Sequence, residues 1–439
     1  MIVHQPSPKS LNRRWILIKN IEKNLKKNEV LTYFLFIAML FVFLFPPMLE
    51  QLSIYRYVRL TQTGLTLVFV VIYLFFMKKN KYINLLFTFF VIYGLASLFN
   101  ERYYPLVIFY ITNVSALILF LYWAKGINLN LLLEAFSDLS LIYLTIHALS
   151  LLVFPTGVSA MISHNDREKP LFFLGQDNQS TILIIIYAVL VILAFLYERK
   201  HAYKPIIASV FAIISLMMSE STTGHLGLFM AMTFFALYFL YKYRHGWLPK
   251  KYSKLKLSNR VRSYLPLIGV ASVLIINFLF VVVNVQELAA SILENLLNND
   301  ATISSRSIIW DRGVEMFLQN PLLGYGATAN RYIYIERGNM HYSAHNMFLE
   351  TSLMGGFLIL LIFIFMIYLS FQAMNRLKNK DLRFLLSAFM VIFFIMSLVE
   401  GYSVKHTFMM LFLPILLEHG QAGDLIIKHN NESMQWRRK

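Results

Sequence analysis

Residues 179–197 read QSTILIIIYAVLVILAFLY, a stretch without a single charged side chain. Because an α-helix rises about 1.5 Å per residue, a run of this length nearly crosses a hydrocarbon core about 30 Å thick. The backbone finds no water there and must satisfy its own hydrogen bonds, which favours a helix over an open strand. The stretch therefore predicts a membrane-spanning helix.

Similar apolar runs recur along the whole chain. Of the 439 residues, 58% are hydrophobic and 14% are charged, a composition too apolar for a soluble protein. The predicted fold class is an all-α polytopic membrane protein of about 12 transmembrane helices, and the chain is interpreted as a single membrane domain, 1–439. The predicted spans are 30–49, 58–77, 82–99, 106–124, 131–154, 179–197, 203–219, 224–241, 265–285, 346–369, 384–402 and 405–417.

The distribution of basic residues predicts the orientation. If the N-terminus is cytoplasmic, about three quarters of the 40 lysines and arginines fall on the cytoplasmic side, as the positive-inside rule requires. The basic N-terminus 1–29, the basic loop 242–264 and the tail 418–439 are then all cytoplasmic. The net charge of +17 is therefore expected to meet anionic membrane lipid rather than nucleic acid.

The longest connection, 286–344, is placed on the opposite, extracytoplasmic side and is the expected functional region. It starts with an amphipathic run at 288–297, and a second helix follows with Thr302 or Ser304 as its cap. Asn320-Pro321 ends that helix, because proline cannot continue the hydrogen-bond ladder. One face of it, predicted to lie on the membrane surface or to cover the bundle, holds Arg306, Trp310, Val314 and Phe317.

Two motifs in this region resemble sites for other ligands. Gly324-Tyr325-Gly326 lacks the third glycine and the preceding strand of a nucleotide loop, so it is interpreted as a sharp turn. His341 and His345 have the spacing of a zinc pair on a helix, but no glutamate follows the first histidine and no third ligand is evident. No metal site is predicted. His345 stands where a span begins, either as a group that exchanges protons near neutral pH or as an interfacial residue bonded to water or backbone.

Few cations lie on the predicted outer face. Arginine suits bidentate contact with phosphate oxygens, so several of them at one cavity would favour a diphosphate ligand, while the others would be solvated. Polar residues at the outer ends of spans, Gln176 to Gln179, Ser219 to His225 and Glu400, indicate a water-filled cavity open to the outside. The outer cations are Arg56, Arg59, Arg102, Arg167, Lys169, Arg306, Arg312, Arg331, Arg337 and Lys405.

From Ser305 to about Gly356 the residues fall into an ordered series of short motifs. The series resembles the O-antigen ligase and Wzy-type polysaccharide polymerase superfamily. Weaker similarity is found at Gly175-Gln-Asp-Asn178 and at Ser219 to Gly224, and the first five spans match in hydropathy alone. The motifs are Arg306-x-x-x-Trp310, Phe317-Leu-Gln-Asn320-Pro321-Leu-Leu-Gly324-Tyr-Gly326, His345-Asn346-Met-Phe-Leu349-Glu350 and Gly355-Gly356.

The resemblance implies a multi-spanning glycosyltransferase that uses a polyprenyl-diphosphate-linked saccharide as donor and needs no metal or nucleotide cofactor. Arg306 would contact the diphosphate, and His345 would orient or deprotonate the acceptor hydroxyl, with inversion at the anomeric carbon. Many relatives place an arginine where this chain has Thr222, so Arg167, Arg56 or Arg59 would supply a second charge. The substrate-binding candidates are Arg167, Arg56, Arg59, Arg312, Arg331, His341, Asn346, Glu350, Thr222 and Asn178.

Three functions fit this pattern. The first is a polymerase that joins lipid-linked repeat units of a capsule, exopolysaccharide or O-antigen on the outer face of the bacterial cytoplasmic membrane, in the company of a flippase and a chain-length regulator. The second is a ligase that moves finished glycan to a lipid or wall acceptor, and the third is a transporter for lipid-linked sugar. A composition rich in Ile, Lys and Asn is typical of low-GC bacteria, many of which lack lipopolysaccharide, and it favours the polymerase.

Overall fold

The structure, a computed structural model, describes residues 23–100, 104–162, 168–243, 259–285, 304–327, 333–335, 340–401 and 404–418. Within these ranges the chain is mainly helical, and the predicted all-α membrane fold is confirmed. The predicted amphipathic run at 288–297, most of the basic loop 242–264 and nearly all of the tail lie outside the described residues, as do Arg167 and Arg331.

The helices follow one another with short connections. A 3₁₀ turn, Pro47–Gln51, follows the first of them. In chain order they are α1 (Glu29–Phe43), α2 (Tyr55–Phe76), α3 (Lys81–Phe99), α4 (Tyr104–Val153), α5 (Asp177–Glu198), α6 (Tyr203–Met218), α7 (Thr222–Tyr243), α8 (Asn259–Val281), α9 (Ser304–Gln319), α10 (Met347–Arg376), α11 (Lys380–Met396) and α12 (Val404–Glu418).

Two small antiparallel hairpins lie in the connections, and the sequence did not predict them. The first pairs β1 (Ser159–Ile162) with β2 (Glu168–Leu171), and the second pairs β3 (Ile333–Ile335) with β4 (Met340–Tyr342). The second hairpin belongs to the connection that carries α9.

The predicted count of twelve spans is corrected by the structure. Among the described residues, six helices are long and apolar enough to cross a membrane: α2, α3, α4, α5, α8 and α10. The prediction counted every apolar run as a span. Helices α1, α6, α11 and α12 contain only 15 to 17 residues, and these make about 22 to 26 Å of helix, which is shorter than a hydrocarbon core of about 30 Å. The runs 106–124 and 131–154 are two helical segments of α4, separated by non-helical backbone at Asn128 with φ −159° and ψ 103°.

Helix α4 lies at the centre of the bundle and packs against α1, α2, α5, α6 and α12. Phe120 of α4 meets Phe36 of α1 and Phe69 of α2 with ring centroids 5.9 and 6.0 Å apart. Between membrane helices such contacts stabilise by close packing, because lipid tails are as apolar as the side chains themselves. Large apolar residues on the outer surface, among them Leu67 and Phe99, are exposed, as a lipid-facing surface requires.

A buried ion pair ties three helices of the bundle together. The Lys204 ammonium of α6 lies 2.5 Å from Asp138 of α4, and the Tyr33 hydroxyl of α1 donates to the same carboxylate at 2.6 Å. A charge within an apolar bundle is costly unless it is paired, so each member fixes the others.

Helix α10 is broken at Gly355 and Gly356. Gly356 has φ 64° and ψ −159°, a combination that is open essentially to glycine alone. Phe357, the residue that would normally donate to the Leu353 carbonyl, donates to the carbonyl of Pro321 at 2.6 Å. The carbonyls of Leu353 and Met354 accept instead from the N–H groups of Tyr325 and Gly326, at 2.7 and 3.0 Å.

The segment 321–327, here called the wedge loop, fits this break only because its backbone lies very close to the backbones of α10 and α3. A Cβ on Gly324 would lie 2.6 Å from the Leu353 carbonyl oxygen, and one on Gly326 would lie 2.4 Å from the Ser97 nitrogen of α3. Both glycines have positive φ, which confirms the predicted sharp turn. Since α9 runs directly into the wedge loop, the break fixes α9 against α10.

We expect Gly356→Ala to destabilise the protein by about 2 kcal/mol or more, because a Cβ there would lie 2.3 Å from the Leu322 carbonyl group and the backbone angles exclude alanine. Gly64→Ala in the middle of α2 is the matched control, since its Cβ would meet nothing within 4 Å. Thermal unfolding of the purified chain in detergent measures both. Equal unfolding temperatures for the two variants would contradict the wedge.

Candidate functional site

Three helix ends and one loop meet at the carboxylate of Glu400. This residue follows α11, and its side chain is only 8% exposed. Arg306 donates to Oε1 at 2.9 Å, Asn178 donates to the same oxygen at 3.0 Å, and His345 Nδ1 lies 3.4 Å from Oε2. These four residues are called the Glu400 cluster below.

Arg306 is held in place by the helix that carries it. It lies in the first turn of α9, and the buried Trp310 one turn later donates from its indole N–H to the Ala344 carbonyl at 3.0 Å. Trp310, Val314 and Phe317 pack with Leu349 and other residues of α8 and α10. Of the two predicted positions of this face, on the membrane surface or over the bundle, the contacts show the second, and the arginine is left at its edge, 16% exposed.

His345 is held from the other side by its neighbour. Asn346 is fully buried and caps α10, accepting from the N–H groups of Phe348 and Leu349. Its amide also donates to Asn277 of α8 and to the Leu398 carbonyl, at 3.0 and 3.1 Å. Both amide atoms of Asn346 are thus engaged by the protein, and the residue fixes the end of α10 against α8 and α11.

The backbone at His345 has φ 46°, a left-handed conformation that is uncommon for a residue with a side chain. Glu350 supports the turn, because its carboxylate accepts from the Ala344 N–H at 3.2 Å. The imidazole is 35% exposed, and its Nε2 has no hydrogen-bond partner among the described residues. Strain of this kind persists where the surroundings hold a side chain in one orientation.

A family model described as O-antigen ligase matches residues 207–364. The matched segment is similar to that family. It covers a little over a third of the chain, from α6 into α10, and contains Arg306, His345 and the Gly355-Gly356 break. The predicted family resemblance is confirmed. A comparison with curated proteins gave no match.

The matched segment supplies only half of the Glu400 cluster. Arg306 and His345 lie inside the matched segment, whereas Asn178 at the start of α5 and Glu400 after α11 lie outside it. The sequence placed Glu400 among the polar residues at span ends but did not name it as a site residue. The signal was present, because a carboxylate that directly follows an apolar helix needs partners.

The other predicted site residues do not contact the Glu400 carboxylate among the described residues. Arg312 is exposed on the far face of α9 and pairs with Glu315 at 2.6 Å. Thr222, exposed, begins α7, and Glu350 supports the turn at Ala344. His341 lies in β4 opposite Tyr334, while His345 lies in the turn before α10, so the helical zinc-pair spacing does not apply. In the described ranges, no three His, Cys, Asp or Glu side chains come together as a metal site.

Arg56 and Arg59 line a groove at the start of α2, together with Glu50 and Tyr55. The Arg59 guanidinium lies 5.7 Å from the centre of the Tyr55 ring. Burial raises the pKa of Glu50, and the charge of Lys405, a hydrogen bond with Tyr55 and the charge of Arg59 oppose that rise. The groove therefore holds two arginines and one carboxyl group.

We expect Asn346→Ala to cost about 2 to 4 kcal/mol of stability, because it removes a helix cap and also leaves the buried Asn277 and Leu398 oxygens without a donor. Asn28→Ala is the matched control, an exposed cap of α1 that accepts only from Leu31, and it should cost about 1 kcal/mol. Chemical unfolding in detergent compares them. The proposed placement of His345 fails if both substitutions cost the same.

Proposed function

We propose that this membrane protein is a glycosyltransferase that joins saccharide units carried on polyprenyl diphosphate. The observation that supports it is that Arg306 and His345, far apart in the chain, meet at one carboxylate inside or beside the segment similar to the O-antigen ligase family. A cation and a proton acceptor at one partly exposed position are what a diphosphate leaving group and an attacking hydroxyl need.

Arg306 acts on the leaving group in this proposal. A guanidinium offers a planar fork of N–H donors that matches phosphate oxygens and stays charged at any physiological pH. Stabilising the diphosphate as it departs is the larger part of the task, because diphosphate is already a good leaving group and needs no strong acid.

His345 acts on the attacking group. Its Nε2 accepts the proton of the acceptor hydroxyl while the hydroxyl oxygen forms a bond to the anomeric carbon. The bond from that carbon to the diphosphate oxygen breaks, and polyprenyl diphosphate leaves with the electron pair. The proton on His345 then passes to water or to the released diphosphate. Attack opposite the leaving group inverts the anomeric centre.

The site faces outward in this proposal. With the basic segments in the cytoplasm, the Glu400 cluster lies at the outer boundary of the bacterial cytoplasmic membrane and both termini lie inside. The substrates then come from a flippase that delivers lipid-linked units, and a chain-length regulator is a natural partner. Arg56 or Arg59 from the groove at the start of α2, or Arg167 outside the described residues, supplies a second cation for the donor.

The proposed activity is polymerisation, favoured by the low-GC composition of the chain. The description of the matched family model favours a ligase as the second candidate. The two differ in what accumulates when the site is disabled. Loss of a polymerase leaves single lipid-linked units, whereas loss of a ligase leaves long chains on the lipid carrier.

We expect His345→Ala and Arg306→Ala each to lower polymer at least about a hundredfold in the native host, because each removes one half of the transfer chemistry. Mass spectrometry of extracted lipids, with a probe for the leaflet, should find single lipid-linked units on the outer leaflet. Arg376→Ala, an exposed arginine paired with Glu418 at the other end of α10, is the control.

Units accumulating on the inner leaflet would instead identify a transporter, and long lipid-linked chains would identify a ligase. The same assay tests the second cation with Arg56→Ala, Arg59→Ala and Arg167→Ala. Shorter or scarcer polymer in at least one of them is expected, and undiminished polymer in all three would exclude a second cation from this set.

A further inference from the structure

The carboxylate of Glu400 has two competing partners. Arg306 holds Oε1 at 2.9 Å, a normal charge-assisted hydrogen bond, whereas His345 Nδ1 stands 3.4 Å from Oε2, beyond the usual N–H···O range of about 2.7 to 3.2 Å. Glu400 therefore holds Arg306 more closely than it holds His345.

A phosphate arriving at Arg306 changes this balance. The phosphate and the Glu400 carboxylate are both anions, so they compete for the same guanidinium. Once Arg306 has turned to the phosphate, a carboxylate with 8% of its surface exposed has lost its counter-ion in a setting where an unpaired charge is costly. Asn178 still donates to Oε1 at 3.0 Å and keeps the carboxylate in place.

His345 is the group positioned to take over. Its Nδ1 is a few tenths of an ångström from bonding distance, and its Nε2 is free of hydrogen bonds among the described residues. A proton on Nδ1, held by Glu400, leaves Nε2 as the acceptor on the other edge of the ring.

Other charged groups on the surrounding elements have their own partners. Glu350 of α10 accepts from the Ala344 N–H, and Lys405 at the start of α12 is buried close to the charge of Glu50. Arg306 is the charged group of α9 that reaches the cluster, because Arg312 and Glu315 pair on its exposed face.

We propose that Glu400 is a positioning residue that exchanges partners, pairing with Arg306 before the donor binds and accepting the Nδ1 hydrogen of His345 once the donor's phosphate has taken Arg306. The inference rests on the proposed function for its consequence in transfer. Glu400 forms no bond to substrate, and it sets which nitrogen of His345 receives the hydroxyl proton.

The proposal predicts effects of opposite sign for Glu400→Gln. The substitution frees Arg306 for phosphate, so binding tightens, and it removes the charged partner of His345, so transfer slows. A residue with a merely structural role would weaken binding and transfer together.

The binding test uses inorganic pyrophosphate and the purified full-length chain in detergent, by isothermal titration calorimetry. We expect E400Q to bind pyrophosphate about tenfold more tightly than the parent chain, the scale of one charge-assisted hydrogen bond. In an Arg306→Gln background the same E400Q change should have little effect, because the competition is for Arg306. Glu315→Gln, which removes an exposed carboxylate of α9, should bind within about twofold of the parent.

Weaker or unchanged binding by E400Q would overturn the proposal, and so would equal tightening with and without Arg306, which would show a general charge effect. If E400Q does not fold, Glu400→Asp, which withdraws the carboxylate by one methylene, is measured in the parent and Arg306→Gln backgrounds. It must tighten the binding of pyrophosphate in the parent background. The second measurement is the amount of polymer made in the native host, which should be about tenfold lower with E400Q.

These two measurements separate the inference from the proposed function. If the chain is a transporter, no variant changes glycosyl transfer. The pyrophosphate binding measurements with and without Arg306 still report whether Glu400 and phosphate compete for this arginine. If transfer depends on His345 and Arg306 but E400Q changes pyrophosphate binding equally with and without Arg306, the proposed function is retained and the exchange of partners is wrong.

Discussion

Inside an apolar bundle a backbone carbonyl cannot turn to water, and this constraint shapes the region around the site. The break at Gly355 and Gly356 diverts the N–H of Phe357 to Pro321 and leaves the carbonyls of Leu353 and Met354 to accept from the wedge loop. A helix break that would be costly on its own is thereby satisfied by another segment. Because the wedge loop continues from the C-terminal end of α9, the hydrogen bonds that repair α10 also fix where α9 ends.

The second constraint is electrostatic. Arg306 and Glu400 are mostly buried, and an unpaired charge there is costly, so the start of α9 and the end of α11 are drawn to one point. Asn178 brings the start of α5 to the same carboxylate. The left-handed turn at His345, capped by Asn346, then places the imidazole beside it. Packing, backbone repair and charge pairing thus converge on one end of the bundle.

Much of this could be predicted from the sequence where the signal is local. Apolar runs located the helices, a proline ended α9, and two glycines in Gly324-Tyr325-Gly326 indicated a turn. The number of spans could not be predicted in the same way, because hydropathy does not show that α11 and α12 are short. The family motifs identified Arg306 and His345 as separate items in a series. Their meeting at Glu400 depends on contacts between residues 55 and 94 positions apart, which no local pattern contains.

The central proposal is that a lipid-linked diphosphate binds at Arg306. A cryo-electron microscopy structure of the full chain in a lipid nanodisc with farnesyl diphosphate tests it most directly. We predict diphosphate oxygens within hydrogen-bond distance of the Arg306 guanidinium, with His345 Nδ1 closer to Glu400 than the present 3.4 Å. A diphosphate bound at a distance from Arg306, with the arginine still paired to Glu400, would contradict it.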